Sequence, residues 1–249
     1  MNTAHIMSQQ RFTDKTAIIT GAGTGIGLAI AEQLLAEGAR VVINDLDEAK
    51  LAAVADELPP DVKERCSIFS GDASSVDTIR ELVDFAANRM GKLDLCVANA
   101  GITHFGSFLD CTPEDFKRVS DLNLQGSFFL AQHSAKQMQR QGTGGRILLM
   151  SSVAGVQACP NMTLYAMTKA ALSMMARSLV LELGALDIGI NAIAPGATIT
   201  ERTRQEEPDY ESTWSSLAPD HKTAMPKDTA EAATFLLSEA ATHINGQTL

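Results

Sequence analysis

Three side chains in the second half of the chain have the types and spacing that proton transfer requires. Tyr165 and Lys169 stand four residues apart in Thr163–Leu183, whose pattern predicts a long helix, so they share one helix face. A phenol has a pKa near about 10, and a nearby ammonium lowers it by favouring the phenolate. Ser152 follows the apolar run 146–150, a predicted buried strand, and its hydroxyl could hold a substrate oxygen beside the phenol. The set predicts a general acid/base, a cation that tunes it and a carbonyl-polarising hydroxyl.

A tyrosine and a lysine at this spacing are also common on ordinary amphipathic surface helices, so the pair alone does not define a site. The preceding elements decide between the two interpretations. A predicted first strand, Thr16–Thr20, leads into a glycine-rich turn at 20–27 and then a helix. A second strand follows at 41–43, and Asp45 stands just past its end. This order predicts a right-handed βαβ unit.

The glycine-rich turn would let the backbone approach a phosphate. Its spacing is Gly21-x-x-x-Gly25-x-Gly27, and the following helix offers free N–H groups and the positive end of its dipole. Such a turn is alternatively a tight connection, and Asp45 alternatively a plain surface carboxylate. Together they favour a dinucleotide, because a carboxylate there accepts hydrogen bonds from the adenosine ribose and repels a 2′-phosphate. Thr24 is not basic and no Arg or Lys adjoins Asp45, which favours NAD over NADP.

Strands and helices alternate along the rest of the chain. Further strands are predicted at Cys66–Ser70, 93–98, 146–150 and 189–194, and residues 246–249 look like the beginning of another. The fold class predicted is α/β, a single Rossmann-type doubly wound parallel sheet of about seven strands with helices on both faces.

We expect one domain, because no change in composition along the chain marks a second. A flexible tail is predicted over residues 1–12, followed by a single dinucleotide-binding oxidoreductase-type domain over 13–249. Residues 201–223 are polar and irregular in pattern but contain Tyr210 and Trp214. A long irregular stretch in a compact domain is typical of a lid, so we predict a substrate lid there.

The bulk composition argues against some classes of partner. The chain has 249 residues, 45% of them hydrophobic, and a formal net charge of −10. This acidity argues against nucleic acid or an anionic membrane surface as the main partner. The four cysteines form no Cys-x-x-Cys pair, and no metal site is predicted. We find neither a secretory signal nor an apolar run of the about 18 residues that span a bilayer, so we expect a cytoplasmic protein.

The motifs, taken in order, resemble those of the short-chain dehydrogenase/reductase family over nearly the whole chain. Residues 20–27 match the family's Thr-Gly-x-x-x-Gly-x-Gly turn. Residues 99–101 match its Asn-Ala-Gly segment, although Ala98 replaces a frequent asparagine. Residues 191–196 match the segment that flanks the nicotinamide. At 246–249 the family usually continues with Val-Asp-Gly-Gly, which this sequence does not contain.

The resemblance also implies roles for individual residues. Ser152, Tyr165 and Lys169 have the family's spacing of thirteen and four. Tyr165 would be the general acid/base, and Lys169 would lower its pKa and hold the nicotinamide ribose. Ser152 would orient and polarise the carbonyl or alcohol. Asn123, at the family's catalytic asparagine, would position a water in a proton relay toward Lys169.

The residues expected around the cofactor share the glycine turn, the ends of the next strands and the nicotinamide segment. They are Gly21, Thr24, Gly25, Ile26, Gly27, Asp45, Leu46, Asp72, Ala73, Asn99, Ala100, Gly101, Tyr165, Lys169, Pro195, Gly196, Thr198 and Thr200. The residues expected to bind substrate are Ser152, Val153, Ala154, Cys159 and Tyr165. Because 153–162 is mostly small or apolar, we expect a neutral or partly apolar substrate.

The sequence therefore predicts an NAD-dependent oxidoreductase that transfers a hydride reversibly between the nicotinamide and a small-molecule secondary alcohol or ketone. The resemblance lies closest to 3-oxoacyl-carrier-protein reductases and glucose-dehydrogenase-like members. An NADPH-dependent ketoreductase of the first kind is the alternative. A non-catalytic dinucleotide-binding sensor or scaffold is disfavoured, because Ser152, Tyr165 and Lys169 are all present. The family resemblance implies a homotetramer or homodimer.

Overall fold

The chain is seen in a computed structural model that describes residues 10–249, in which six parallel strands form one sheet. They are β1 Thr16–Thr20, β2 Arg40–Asp45, β3 Cys66–Ser70, β4 Leu95–Ala98, β5 Gly145–Met150 and β6 Ile188–Ile193. Their order is β3-β2-β1-β4-β5-β6, so the winding reverses between β1 and β4. This confirms the doubly wound Rossmann-type sheet, in which such a reversal opens a crevice for a ligand. The predicted last strand appears as a single parallel bridge between Ala192 and Thr248.

Helices cover both faces of the sheet. They are α1 Gly25–Ala36, α2 Glu48–Glu57, α3 Pro60–Lys63, α4 Val76–Met90, α5 Pro113–Ser120, α6 Ser127–Gln141, α7 Thr163–Leu183, α8 Glu201–Glu206, α9 Tyr210–Leu217 and α10 Pro226–Leu237. One hydrophobic cluster lies between the sheet and α4, α6 and α7, and the other between the sheet and α1 and α10. Ile18 enters the first and Ile19 the second, because successive strand side chains point to opposite faces. Across residues 10–249, no helix has both the length and the apolar character that a membrane crossing needs.

Polar residues and glycines set the ends of the helices next to the crevice. The Ser75 hydroxyl accepts a hydrogen bond from the N–H of Thr78 at 3.3 Å and so caps α4, which ends at Gly91 with φ of 85°. At α5, the Thr112 hydroxyl accepts from the N–H of Asp115 at 3.1 Å, and Pro113 takes the first helical position.

The chain between α5 and α6 stays helical but widens into a π-type turn at Asp121–Gly126. Helical spacing in the sequence runs from residue 112 to about residue 139 and allows a break, but it does not locate this wide turn. Wide turns of this kind are frequent at functional sites, because the extra residue redirects one side chain. Here Asn123 lies inside the turn and is completely buried.

The predicted tail, residues 1–12, includes two residues that belong to the folded domain. Phe12 is buried in the hydrophobic cluster beside α1, and Arg11 forms an ion pair with Glu37. Burial of the aromatic ring ties residues 11 and 12 to the domain, which the polar opening of the sequence did not indicate. The rest of the predicted tail lies outside the described residues.

The irregular pattern of residues 201–223 conceals two short helices, α8 and α9. The Thr200 hydroxyl accepts from the N–H of Thr203 at 3.2 Å, which begins α8. On α9, the Tyr210 and Trp214 rings stand one turn apart with centroids 5.9 Å from each other. Both helices are mostly exposed, so they need no apolar periodicity, and the sequence pattern therefore missed them. We call residues 201–223 the lid segment.

Candidate active site

Three polar side chains meet beyond the carboxyl end of β5. Ser152 follows the strand and caps a short 3₁₀ turn at Val153–Gly155 with its hydroxyl. Tyr165 and Lys169 lie near the start of α7, and Lys169 Nζ is 5.5 Å from the centroid of the Tyr165 ring. The turn and α7 approach closely because Gly155 has no side chain: a Cβ there would lie 2.7 Å from the backbone of Lys169. The predicted acid/base, cation and hydroxyl are therefore brought together.

The amine of Lys169 is enclosed by protein. The residue is 3% exposed, and its Nζ donates a hydrogen bond to the carbonyl of Met150 at 2.7 Å. Burial, and after it the positive charge of Arg202, lowers the pKa of Lys169 to about 7. This amine therefore changes its charge near neutral pH.

The Tyr165 phenol experiences opposing influences. Burial raises the pKa of Tyr165, while the Ser152 hydroxyl and the charge of Arg202 lower it. On balance the pKa of Tyr165 is raised, and its lowering by a protonated Lys169 stays a prediction. The physical reason is that the same enclosure disfavours both the phenolate and the ammonium, so the pair favours its neutral form.

Asn123 connects the π-type turn to the chain after β4 and to α7. Its Oδ1 accepts from the N–H of Ile102 at 2.9 Å, and its Nδ2 donates to the Ile102 carbonyl at 3.0 Å and to Thr168 Oγ1 at 3.1 Å. A Cβ on Gly101 would lie 3.2 Å from Asn123 Oδ1 and 3.3 Å from Lys169 Nζ, so Gly101 separates the two. The predicted water relay remains a prediction. We call Asn123, Ser152, Tyr165 and Lys169 the tyrosine centre.

The glycine turn after β1 has the conformation that its residues predict. Gly21 and Gly25 have φ of 62° and 61°, a left-handed region that favours glycine. A Cβ on Gly27 would overlap the carbonyl of Gly21. Helix α1 begins after Thr24 without a capping hydrogen bond from that side chain, so its first N–H groups remain available to an anion. The turn therefore suits a phosphate.

The carboxylate at the end of β2 is held against this turn. Asp45 Oδ2 accepts from the N–H of Gly23 at 3.1 Å, and Oδ1 accepts from the N–H of Asp47 at 3.2 Å. A Cβ on Gly23 would lie 2.9 Å from Asp45 Oδ2, so a larger residue would displace the carboxylate. Two backbone donors thus fix its position where the sequence predicts an adenosine ribose. Leu46, the next residue, exposes its side chain beside it.

The residues expected along the adenosine path differ in burial and in whether their side chains already bond within the protein. Asn99 is engaged within the protein, because its Nδ2 donates to the carbonyls of Thr20 and Gly21 at 2.9 Å each and so supports the turn. Ala73 is buried under the start of α6, where a Cβ on Gly126 would overlap its carbonyl. Asp72 is exposed, and Ala100 lies within 3.3 Å of where a Cβ on Gly21 would stand.

The segment after β6 closes the opposite side of the crevice. The Thr198 side chain is buried and donates to the carbonyl of Gly196 at 3.1 Å. A Cβ on Gly25 would lie 3.4 Å from Thr200 Cγ2, which places the start of α8 across from the glycine turn. Ile26 is half-buried within the first turn of α1. Gly25 and Thr200, which both belong to the predicted cofactor set, therefore lie close together.

Among the predicted substrate residues, Ser152 and Cys159 influence the phenol of Tyr165. Val153 donates its N–H to the carbonyl of Pro195 at 3.0 Å, which joins the 3₁₀ turn to the segment after β6. Ala154 is buried, and Cys159 is half-buried. Cys159 lies close enough to Tyr165 to contribute to raising the pKa of that phenol.

Two residues of the lid segment influence the tyrosine centre: Tyr210, which the sequence marked only as an aromatic of that segment, and Arg202, which it did not mark. Arg202 Nη1 donates to the carbonyl of Gly101 at 3.3 Å, and Nη2 donates to Thr103 Oγ1 at 3.2 Å. Burial raises the pKa of Tyr210, which is hydrogen-bonded to the backbone of Thr198 and influenced by Arg202. The feature of the sequence that could have indicated Arg202 is its position two residues after Thr200, which was predicted to lie near the cofactor.

Within residues 10–249, no three or more His, Cys, Asp or Glu side chains are grouped so that they could hold a metal ion.

Comparisons with known proteins agree with this geometry. A family model described as "Enoyl-(Acyl carrier protein) reductase" matches residues 21–249. The chain is 35% identical to the L-rhamnose-1-dehydrogenase of Scheffersomyces stipitis, over 94% of this chain and 93% of that protein. It is 38% identical to the 7alpha-hydroxysteroid dehydrogenase of Escherichia coli, over 96% and 93%. The crystal structure of a short-chain type dehydrogenase/reductase from Mycobacterium marinum superposes with a TM-score of 0.90 at 28% identity, over 97% and 95% of the two chains.

Proposed function

Because the chain belongs to the short-chain dehydrogenase/reductase family, and so is an oxidoreductase acting on alcohols or ketones, we propose that it transfers a hydride reversibly between NAD and a secondary alcohol or its ketone. The observation that carries this proposal is the meeting of Ser152, Tyr165 and Lys169 beyond β5, within reach of the crevice.

Tyr165 is the proposed general acid/base. Ser152 holds the substrate oxygen, and the phenol takes the hydroxyl proton in oxidation or donates it in reduction. When protonated, Lys169 stabilises the tyrosinate, and its pKa of about 7 lets it change charge at neutral pH. Asn123 positions a water that passes the proton on from Lys169; its location across Gly101 from the amine supports this role.

The residues of the crevice fit a dinucleotide. When bound, NAD supplies the hydride acceptor or, in its reduced form, the donor. The glycine turn and the first N–H groups of α1 would hold its phosphates, because Gly21 and Gly25 adopt left-handed φ values in the turn and the Thr24 side chain does not cap those N–H groups. Asp45 would accept hydrogen bonds from the adenosine ribose, and Lys169 would hold the nicotinamide ribose. The fixed carboxylate of Asp45 is the feature that supports NAD over NADP.

The cofactor proposal is tested by charge removal at Asp45. Thermal shift and Trp214 quenching are measured with NAD⁺, NADH, NADP⁺ and NADPH on wild type, Asp45→Asn and Glu48→Gln. Glu48, an exposed acid at the start of α2, is the matched control. We expect the wild type to bind NADH more tightly than NADPH, and only Asp45→Asn to lose that preference, by about tenfold or about 1.4 kcal/mol. Tighter binding of NADPH by the wild type would instead favour the ketoreductase alternative.

We further propose that the protein assembles as a homotetramer or homodimer. Phe116 on α5, Phe128 on α6 and Leu181 on α7 expose large apolar side chains, which supports an assembly through these helices. Analytical ultracentrifugation tests this, and a monomer at micromolar concentration would contradict it. The cytoplasmic location stays a prediction.

A further inference from the structure

Two segments that contact each other, through the hydrogen bond of the Gly106 N–H to the Asn161 carbonyl at 2.8 Å, carry little charge of their own. Residues 103–108 and 153–162 contain no Asp, Glu, Lys or Arg. Arg202, from the lid segment, brings a guanidinium to this side of the site through its bonds to Gly101 and Thr103. The expectation of a neutral substrate rested on 153–162 and did not include this cation.

The hydrogen-bonding capacity of Arg202 is incompletely used. Its two bonds, at 3.3 and 3.2 Å, go to neutral oxygens. A guanidinium bound to a carboxylate typically has N–O distances of about 2.7–2.9 Å, often in a bidentate pair. Among the residues that the structure describes, the carboxylate within ion-pair distance is that of Glu206, with Oε1 3.7 Å from Arg202 Nε. Both side chains are about half exposed, at 49% and 57%, so this pair on α8 is weak.

The guanidinium also stands close to the reacting groups. It bonds to the carbonyl of Gly101, the residue that separates Asn123 from Lys169. Its charge lowers the pKa of Tyr165 on α7 and that of Lys169. A cation that is half exposed and hydrogen-bonded to neutral oxygens is complementary to a negatively charged group on the bound molecule.

We propose that Arg202 binds a carboxylate of the substrate, so that the enzyme acts on hydroxy acids and the corresponding oxo acids. The carboxylate displaces the long bonds to Gly101 and Thr103 and forms a paired, charge-assisted contact, while the carbinol or ketone meets Ser152 and Tyr165. This inference rests on the proposed function, because Arg202 can bind the substrate's carboxylate in this way only when the carbinol or ketone of the same molecule lies at the Tyr165 phenol.

A phosphate of the cofactor would offer the same anionic chemistry. The phosphate site supported by the glycine turn, however, lies at the start of α1, after β1. Arg202 instead bonds to residues that follow β4, although Thr200, two residues before it, lies near Gly25 of that turn. The substrate carboxylate is therefore the source we assign, and the affinity for NADH distinguishes it from the other.

The test compares acids with their neutral esters. The kcat/KM for NADH-dependent reduction is measured with acetoacetate against methyl acetoacetate, and with levulinate against methyl levulinate. The variants are Arg202→Ala and, as a matched control on the same helix, Arg204→Ala, which is exposed. We expect the wild type and Arg204→Ala to prefer the acid of at least one pair by about tenfold or more. Arg202→Ala should lose that preference, because the acid loses its charged partner and the ester does not.

A binding measurement that needs no turnover accompanies the kinetics. Trp214 is the single tryptophan of the chain and lies in the lid segment, so its fluorescence reports on that segment. With NADH present, butyrate should change this fluorescence at lower concentration than butyramide in the wild type and Arg204→Ala, and not in Arg202→Ala. If butyrate binds through Arg202 but none of the ketones is reduced, the proposed function fails and the carboxylate site stands.

Three results would overturn the inference. The first is equal use of acid and ester by the wild type in both pairs. The second is a weaker affinity of Arg202→Ala for NADH that accounts for its loss of activity, since the anion would then be a cofactor phosphate. The third is an equal loss of kcat/KM with acid and ester in Arg202→Ala, together with a Trp214 fluorescence that already differs from the wild type before any carboxylate is added. That result would mean that Arg202 holds the lid segment in place and does not bind the substrate.

Discussion

The tyrosine centre and the lid segment lie side by side but are built in opposite ways. In the centre, Lys169 and Asn123 are buried, and their side chains bond to the backbone of other elements at Met150 and Ile102. In the lid segment most side chains are exposed and bond locally, as Ser212 does with the carbonyl of Asp209. Groups that move a proton need fixed distances and low polarity, whereas a group that selects a substrate needs access to it. The difference predicts that substitutions in the two regions alter the proposed reaction and its selectivity separately.

The largest effect is expected from Tyr165→Phe. Loss of the phenol hydroxyl should lower kcat by about 10²–10⁴-fold, because the proton would have no positioned acceptor or donor. Steady-state rates measure this, and the thermal shift with NADH should match that of the wild type. A loss below tenfold would mean that another group carries the proton and that the centre is not the site of chemistry.

The next effect concerns Lys169→Met and pH. The pKa of Lys169 falls from 10.5 to about 7 in the folded chain, so between these values the unfolded chain holds a proton that the folded chain lacks. The free energy of unfolding of the wild type should therefore rise with pH in this window, by up to about 1.4 kcal/mol per unit relative to Lys169→Met. Urea unfolding at pH 7 to 10 measures the difference. If the free energy of unfolding changed with pH in the same way in both proteins, burial would not lower the pKa of Lys169.

A pair of amide substitutions compares the two regions directly. Asn123→Ala should lower the free energy of unfolding by about 1–3 kcal/mol, because Ile102 loses both of its partners in a buried place. Gln205→Ala in α8 should change it by less than about 0.5 kcal/mol, since Gln205 bonds to Glu201 at the surface. Similar values for both variants would mean that the lid segment is as tightly held as the centre.

The smallest effect is a shift of the pH profile in Arg202→Ala. Arg202 lowers the pKa of Tyr165, so its removal raises that pKa. Alcohol oxidation requires the tyrosinate, so its rising limb should move to higher pH, by about one unit or less for a half-exposed cation. Profiles of kcat/KM for NAD⁺-dependent oxidation of 3-hydroxybutyrate measure this, with Arg204→Ala as control. An unchanged rising limb, or its shift to lower pH, would mean that Arg202 does not lower the pKa of Tyr165.

The sequence predicted the two regions unequally for a physical reason. The bounds of β1 and α7 were predicted correctly, because buried elements must repeat apolar residues with a fixed period. That frame brings Ser152, Tyr165 and Lys169 together, as expected. The helices α8 and α9 bury little, so no period marks them, and Arg202 acts through a contact with Gly101 that no local pattern encodes. The raised pKa of Tyr165 likewise depends on burial, which only the packed structure defines.

The most direct measurement is the ratio of kcat/KM for acetoacetate to that for methyl acetoacetate in wild type, Tyr165→Phe and Arg202→Ala. If chemistry resides in the tyrosine centre and selection in the lid segment, Tyr165→Phe will slow both substrates by the same factor and keep the ratio. Arg202→Ala will instead lower the ratio by about tenfold, toward that of a site without a cation. A changed ratio in Tyr165→Phe, or an unchanged ratio in Arg202→Ala, would contradict this separation.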